Sequence, residues 1–327
     1  MVELEVTATS VTVVPTGAMA ATDVTGAVVY NVVTSAYRVC VGGSVHSTSA
    51  INITFHGVRG STPCHGAEVA RYGGNTSCVS VVVPGEDPIL FDMGTGLRYF
   101  GLQQPNDGSF RGHVLLSHLH WDHTQGLPFF TPILCPGSRL DVYGPAQEDG
   151  RTVGAVMRET IRPPLFPIML ADFPGRIEFH DVSDTDFSIG DVDVMARLIP
   201  HVGPTCGYRI TWGGRTIAYM SDHQMPYDGS MQAADAAIEL AAGADLLIHD
   251  AQYTTKEFAH KSTWGHCTVE YAVWLAAEVG AKRLALFHHD PTRCDEAIDH
   301  ISKLARLMGE RRGVEVVAAS EGLTLSL

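Results

Sequence analysis

Three histidines and an aspartate lie within six positions of the sequence, in the segment SHLHWDH at residues 117–123. An apolar run precedes this segment and a Gly-Leu-Pro turn follows it. His118 and His120 are two residues apart, so at the end of an extended strand both side chains point to the same side. Asp122 and His123 follow at the turn. Imidazole and carboxylate groups are ligands of zinc and similar divalent ions, so the segment predicts part of a metal site rather than a polar surface turn.

Four donor groups exceed what one catalytic ion requires if it keeps a coordination position open for water. The surplus favours two neighbouring ions, which would require more histidines and aspartates elsewhere in the chain. Three residues meet this requirement, because His201, Asp222 and His288 each follow a predicted strand. An aspartate suits a bridging position, since each of its two oxygens can contact one cation. The candidate metal ligands are His118, His120, Asp122, His123, His201, Asp222 and His288.

The elements that must position these residues are strands in the first half of the chain, followed by alternating strands and helices. The candidate ligands follow the ends of predicted strands, where α/β sheets place ligand sites. Because these strand ends extend over residues 118–289, they belong to one domain, which we place at 51–327. Apolar runs predict strands at 51–57, 76–83, 88–96, 113–118, 139–144, 176–182, 192–201, 206–212, 215–222, 244–250, 283–290, 314–319 and 323–327, and periodic runs predict helices at 231–243, 268–281 and 294–310.

Two further segments have a distinct composition. Residues 1–50 are rich in Val, Thr, Ala, Gly and Ser and are nearly uncharged, so we treat them as an N-terminal extension of unknown role. The segment GAMAA resembles a signal-peptide cleavage site, but Glu3 and Glu5 stand where a signal peptide carries basic residues. Residues 151–175 begin as an amphipathic helix, which we expect to break at Pro163-Pro164.

Composition argues against several classes of partner. The 327 residues include 22 Lys and Arg against 36 Asp and Glu, a net charge of −14, which disfavours binding to an extended nucleic acid. No apolar run reaches the roughly 18 residues that a membrane helix needs. The seven cysteines are an odd number without a CxxC pair, as expected of reduced thiols in a cytoplasmic protein.

The segment His118-Leu119-His120-Trp121-Asp122-His123 matches the HxHxDH signature of the metallo-β-lactamase superfamily. The chain resembles most closely the branch that contains ribonuclease Z and related phosphodiesterases. The resemblance covers residues 51–327 and includes the segments GVRGSTP, RYGGNTSCV, FDMGTGLR, LLIHDAQY and WGHCT. It implies an α/β fold of the αββα type, an α+β sandwich in which two packed mixed β-sheets are flanked by helices.

The resemblance also assigns roles to the candidate residues. It implies that His118, His120 and His201 bind one ion, that Asp122, His123 and His288 bind a second, and that Asp222 and a hydroxide bridge the two. Zinc is the first expectation, although manganese and iron accept the same ligands. In related phosphodiesterases, residues matching Asp250 and His266 help to protonate the leaving oxygen. The chain departs from that pattern, with Asp250 replacing a glutamate and Cys267 a serine. The candidate catalytic residues are Asp122, Asp250 and His266.

Four other polar residues have two interpretations each. Asp92 in FDMGTG is either an Asx-turn residue or an acceptor that orients a ligand imidazole. His223 would support a ligand or line the pocket. His249 would have one of the same two roles, or it would be a buried hydrogen-bond partner of the backbone. His288 and His289 are adjacent and must point to opposite faces of a strand, and the motif favours His288 as the ligand.

The resemblance and the charge of the site favour hydrolysis of a small or cyclic nucleotide-like phosphodiester. Two divalent ions, two carboxylates and a hydroxide leave about one positive charge, which suits an anionic substrate. The alternative is tRNA 3′-end processing, which the acidic charge and the absence of a basic, glycine-rich arm disfavour. Hydrolysis of a β-lactam or thioester fits less well, because well-known lactamases carry cysteine at the position of Asp222. A non-catalytic metal protein would need only four closed ligands. A homodimer is compatible with the sequence.

Overall fold

The computed structural model describes residues 5–7, 10–12 and 50–327 of the chain. The proposed N-terminal extension and its GAMAA segment therefore lie almost entirely outside the described residues. Two short strands of the N-terminal extension, β1 (Glu5–Thr7) and β2 (Ser10–Thr12), pair in an antiparallel ladder. Residues Ser49–Leu327 form a separate compact unit, and all candidate site residues belong to it.

The first large sheet of this unit has seven strands in the order β16-β3-β4-β5-β6-β7-β8. Its first three pairings, from β16 to β5, are antiparallel, and the three from β5 to β8 are parallel. The sheet is therefore mixed. Its strands are β3 (Asn52–Gly57), β4 (Cys78–Val82), β5 (Ile89–Phe91), β6 (Arg111–Leu115), β7 (Arg139–Pro145), β8 (Arg176–Val182) and β16 (Thr324–Ser326).

The second large sheet repeats this arrangement, in the order β15-β14-β13-β12-β11-β10-β9. The three pairings from β9 to β12 are antiparallel, and those from β12 to β15 are parallel. Its strands are β9 (Thr185–Ile189), β10 (Val192–Leu198), β11 (Cys206–Trp212), β12 (Arg215–Met220), β13 (Leu246–Asp250), β14 (Arg283–Phe287) and β15 (Glu315–Ala318).

In the part of the chain that the structure describes, seven α-helices accompany the sheets. The helix predicted to begin near residue 151 ends at Thr160, before Pro163-Pro164, which agrees with the expectation. Short 3₁₀ helices occur at Ala67–Val69, Leu127–Phe129, Thr131–Leu134 and Leu170–Asp172. The α-helices are α1 (Leu97–Gly101), α2 (Trp121–Thr124), α3 (Val153–Thr160), α4 (Asp235–Ala241), α5 (Thr255–Lys261), α6 (Val269–Glu278) and α7 (Asp295–Glu310).

Three buried apolar clusters hold the layers together. The central cluster lies between the two sheets and includes Phe55, Tyr208 and Phe287. A second cluster joins the second sheet to α4 and α6, and a third joins the first sheet to α1 and α3. Three successive apolar interfaces separate four layers, so the predicted αββα sandwich of two mixed sheets is confirmed. Within the described residues, no helix is long and apolar enough to cross a membrane.

Candidate metal centre

One group of imidazoles assembles from the loops that follow β6 and β10. The Nε2 atom of His118 lies 2.8 Å from Nδ1 of His120, and Nε2 of His201 lies 3.4 Å from the same atom. These three nitrogens fall within 4.8 Å of one another. Burial lowers the pKa of His118 well below its ordinary value and that of His201 to about 4. The rings are therefore neutral near pH 7, which is the state that binds a divalent ion.

A second group contains two carboxylates and two imidazoles, all buried. Oδ2 of Asp122 lies 3.1 Å from Nε2 of His123 and 3.1 Å from Nε2 of His288. Oδ2 of Asp222 lies 3.1 Å and 3.2 Å from the same two nitrogens. These residues come from α2 and from the ends of β12 and β14, so the parallel half of the second sheet brings distant segments together.

Asp222 faces both groups. Its Oδ1 atom lies 3.9 Å from Nε2 of His118 and 3.8 Å from Nε2 of His201, whereas its Oδ2 atom faces the second group. The Ser221 hydroxyl donates to Oδ2 at 2.7 Å and fixes the plane of the carboxylate. Each oxygen of one side chain is thus directed to a different set of donors, as the bridging role requires.

The donor set fits divalent cations. The Nε2 atom of His123 is buried and has no hydrogen-bond partner, although two carboxylates lie about 3 Å away. A buried nitrogen without a partner is costly unless another group binds it. Burial by itself would raise the pKa of Asp122, but His123 and His288 hold it well below its usual range. The carboxylates are therefore ionised and the nitrogens converge on them, as in oxygen- and nitrogen-ligated divalent sites.

Asp92 orients His123 from behind. Its Oδ2 atom lies 2.6 Å from Nδ1 of His123 and accepts hydrogen bonds from Tyr219 at 2.6 Å and from the Ser117 hydroxyl at 3.0 Å. The Ser117 backbone donates to Oδ1 at 2.7 Å. A hydrogen bond donated by Nδ1–H to Asp92 leaves Nε2 free for an ion, so the structure favours the imidazole-orienting interpretation of Asp92 over a turn alone.

The structure adds residues that the sequence did not single out. Nδ1 of His288 lies 2.7 Å from Oε1 of Gln252, and the Ser61 backbone donates to Oδ2 of Asp122 at 2.7 Å. A side chain on Gly60 would overlap the His288 ring. Each of these residues lies inside a segment that carries the family resemblance, GVRGSTP or LLIHDAQY, and this is the signal that would have identified them.

His201 is held by the loop before α6. Its Nδ1 donates to the Gly265 carbonyl at 2.7 Å, which directs Nε2 toward His118 and His120. Gly265 has φ +93°, and a side chain there would overlap the His201 ring. Glycine is therefore required both for the backbone conformation and for the close approach.

Backbone strain is concentrated at this centre. Among the described residues, the non-glycine residues with positive φ are Ser61, Asp92, Asp222 and His288, with values of 57–63°. Such conformations are unfavourable for residues with a Cβ and persist where surrounding contacts enforce them. Asp92 and His288 directly follow β5 and β14, and Asp222 lies two residues after the end of β12, so these conformations turn side chains out of the sheets and toward one another.

Asp250 and His266 form a dyad beside the ligands. Oδ2 of Asp250 lies 2.9 Å from Nδ1 of His266, and its Oδ1 accepts from the backbones of Cys267 at 3.0 Å and Gln252 at 3.2 Å. Burial would raise the pKa of Asp250, but His266 and His288 hold it below its ordinary value. His266 lines a cleft of about 570 Å³ that reaches His120, Asp122, His201 and Asp222, whereas Asp250 is fully buried behind it.

The remaining predicted residues lie further from the ligands. His223 and His249 are buried, with Nδ1 of His223 2.9 Å from Nε2 of His249, whose Nδ1 donates to the Asp250 carbonyl at 2.7 Å. His223 also lines a separate cavity of about 390 Å³. The structure does not bring His289 to the centre: its Nε2 donates to the Ala319 carbonyl at 2.9 Å, because adjacent residues point in opposite directions. His288 therefore faces the carboxylates.

Comparisons with known proteins agree with the fold. A profile of the beta-lactamase superfamily domain matches residues 88–289, more than half of the chain. Ribonuclease Z of Synechococcus sp. (strain WH7803) is 28% identical over 292 residues, which cover 74% of this chain and 85% of the relative. The metallo-beta-lactamase fold protein YhfI from Bacillus subtilis superimposes with a TM-score of 0.64 at 20% identity, covering 85% of this chain and 100% of YhfI. A diphosphatase of the PhnP family gives 0.61 at 20% identity, covering 85% and 98%.

The superfamily is one whose fold implies divalent metal binding, and the two donor groups lie where strand ends meet. The chain belongs to the metallo-β-lactamase superfamily of hydrolases, near its ribonuclease Z-like branch.

Proposed function

We propose that the protein is a phosphodiesterase that uses two divalent ions to hydrolyse small or cyclic nucleotide-like phosphodiesters. The observation that carries this proposal is Asp222, whose two oxygens face separate donor groups. Zinc is the first candidate ion, and manganese or iron would also suit the nitrogen and oxygen donors. His118, His120 and His201 would hold one ion, Asp122, His123 and His288 the other, and Asp222 both.

Bound divalent ions would activate water and offset the negative charge of a phosphodiester. The protein's own part begins with orientation, because Asp92, Gln252 and the Gly265 carbonyl each fix one ligand imidazole. This leaves the Nε2 atoms of three histidines directed at the carboxylates or at one another, and the site needs little rearrangement on binding.

His266 is the proposed proton donor to the leaving oxygen. It lines the cleft, and its Nδ1 is held by the ionised Asp250, so its Nε2 is free to carry a proton toward the substrate. Asp250 acts through His266, because it is fully buried and its pKa lies below the usual range. The general acid is therefore His266, and Asp250 is its positioning residue.

A small substrate fits the charge of the protein. The net charge is −14, and among the described residues that line the cleft none is Lys or Arg. Gripping an extended nucleic acid relies on clustered basic side chains. We therefore propose a small-molecule substrate and, with the six described cysteines present as free thiols, a cytoplasmic location.

Processing of tRNA 3′ ends is the second candidate. The observation in its favour is the similarity to ribonuclease Z proteins. The match to the ribonuclease Z of Synechococcus sp. (strain WH7803) covers 85% of that protein. Both candidates would use the same donor groups, so only the substrate separates them.

The test is a substrate panel on protein of measured metal content. Bis-p-nitrophenyl phosphate, cyclic nucleotides, precursor tRNA and a chromogenic β-lactam would be compared by kcat/KM. We expect the small phosphodiesters to be preferred, and a clear preference for precursor tRNA would overturn the ranking. Asp222→Ala should remove activity together with one metal equivalent, whereas full activity with both equivalents retained would contradict the bridging role.

A further inference from the structure

We propose that the cleft binds a planar heteroaromatic group of the substrate against Trp121 and Trp264, so that the substrate is a phosphodiester of a nucleoside carrying one phosphate. The inference rests on the proposed function and adds to it the part of the substrate that does not react. It derives from the walls of the cleft rather than from the candidate ligands.

The cleft has two tryptophans among its lining residues. Besides the candidate ligands it is lined by Ser61, Leu119, Trp121, Trp264 and His266. Trp121 is 75% exposed and Trp264 is 60% exposed. A largely exposed indole forgoes much of the burial free energy that makes tryptophan useful in a core, so two of them beside one site point to a ligand that covers them.

Trp264 has a cation–π contact with Lys261. Nζ of Lys261 lies 5.4 Å from the centre of the Trp264 ring and 4.9 Å from that of Tyr253. Asp290 pairs with the same amine at 3.3 Å. These contacts reduce the rotational freedom of the indole, and an ordered ring loses less entropy on stacking.

The two tryptophans are adjacent in sequence to the groups that would do the chemistry. Trp121 separates His120 from Asp122, and Trp264 lies two residues before His266 and next to the Gly265 that holds His201. A substrate whose phosphate lies over the candidate ligands would therefore place its organic substituent within reach of an indole face.

The charge of the walls limits the number of phosphates. The described lining residues include no Lys or Arg, and the nearby Lys261 is paired with Asp290. The candidate ions offer the compensating charge for one phosphodiester, whereas a second phosphate would have no basic partner on the walls. An aromatic base would cover the exposed indole faces without adding charge. Stacking of a base on an aromatic side chain stabilises a complex by about 1–3 kcal/mol.

The experiment measures binding of 5′-AMP and ribose 5-phosphate to metal-loaded protein by isothermal titration calorimetry. The two ligands carry the same phosphate and differ in the base. In the parent protein we expect 5′-AMP to bind at least about tenfold more tightly. This ratio should fall toward unity in Trp121→Ala and Trp264→Ala and be largely retained in the matched Trp→Phe variants. Tyr99→Ala, which removes an exposed aromatic ring from α1 outside the cleft lining, should keep the parent ratio.

Equal affinity for the two ligands in the parent protein would overturn the proposal, as would a ratio that the alanine variants leave unchanged. Metal content and elution volume are measured on the same samples. If the alanine variants convert a dimer to a monomer while the ratio is unchanged, the tryptophans belong to an interface between copies and the proposal is wrong. A parent protein that prefers 5′-AMP yet hydrolyses no phosphodiester would overturn the proposed function and leave the base-binding site standing.

Discussion

The two donor groups should bind metal with different dependence on pH. Without an ion, Asp122 and Asp222 retain protons on the imidazoles that face them. Burial lowers the pKa of His288, but these carboxylates outweigh it and raise the pKa to about 10; the pKa of His123 is likewise raised well above its ordinary value. Within the described residues, His118 and His201 face only one carboxylate oxygen, Oδ1 of Asp222, at 3.9 Å and 3.8 Å, and burial lowers their pKa values.

The size of the pH effect on metal affinity follows from the protons that an incoming ion must displace from the imidazoles. At pH 7.5 removal of the proton from His288, with a pKa of about 10, costs an incoming ion about 3 kcal/mol. Each displaced proton makes the apparent affinity rise about tenfold per pH unit. With His123 and His288 both protonated, affinity at the second group should rise about 100-fold from pH 7 to pH 8. Affinity at the group of His118, His120 and His201 should change little, because its rings are already neutral.

Calorimetric titration of metal-free protein, in two buffers of different ionisation enthalpy, counts the protons released per equivalent. Chelator competition at pH 7 and pH 8 gives the metal affinities. His201→Ala weakens metal binding at the first donor group, so the metal equivalent that still binds tightly belongs to the second group. A water that ionises contributes at most one proton, so release of two or more assigns protons to the imidazoles. Equal pH slopes for both equivalents, or release of less than one proton at the second group, would refute the electrostatic reasoning.

Three substitutions test the supporting residues. Gly265→Ala should remove one metal equivalent, measured by mass spectrometry of the metal; Gly85→Ala, with a similar φ of +88° and nothing near its Cβ, controls for backbone strain and should keep both equivalents. The fully buried guanidinium of Arg59 donates to the carbonyls of Gly73, Asp290 and Arg293. Arg59→Met should lower the free energy of unfolding in urea by about 3 kcal/mol, because these carbonyls lose their donor; a loss below about 1 kcal/mol would contradict this structural role. Asp250→Asn should lower kcat at unchanged metal content and alter the dependence of kcat on pH, and an unaltered dependence would argue against the dyad.

The sequence singled out the candidate donors that the structure brings together, because the chemistry and the strand pattern both leave a local trace. Polar residues directly after apolar runs marked Asp222 and His288, and the spacing of His118 and His120 indicated a common side. The two mixed sheets followed from the family resemblance, and the structure confirms them. The choice between His288 and His289 required the end of β14, since only its register decides which ring faces the carboxylates.

The supporting contacts could not be predicted in the same way. Gly265 contributes a carbonyl and Ser61 a backbone N–H, and these groups are the same in every residue type apart from proline's missing N–H. Gln252 contacts His288 across 36 positions, and the need for glycine at position 60 appears only once the His288 ring is placed against it. The resemblance segments GVRGSTP and LLIHDAQY mark where Ser61 and Gln252 lie, but which side chain each of them contacts depends on how the two sheets are packed.

The candidate ligands with positive φ depend on the residues that support them. A residue with a Cβ in the left-handed region costs about 1–2 kcal/mol, so Asp92, Asp222 and His288 together lower stability by several kcal/mol. Hydrogen bonds to Asp92 from Tyr219 and Ser117, and to Asp222 from Ser221, offset part of that cost. Because these contacts come from the strands themselves and from residues one or two positions after them, the donors converge only where the sandwich is formed. The fold therefore supplies the site with its geometry, and divalent ions would then stabilise a conformation that the strands already impose.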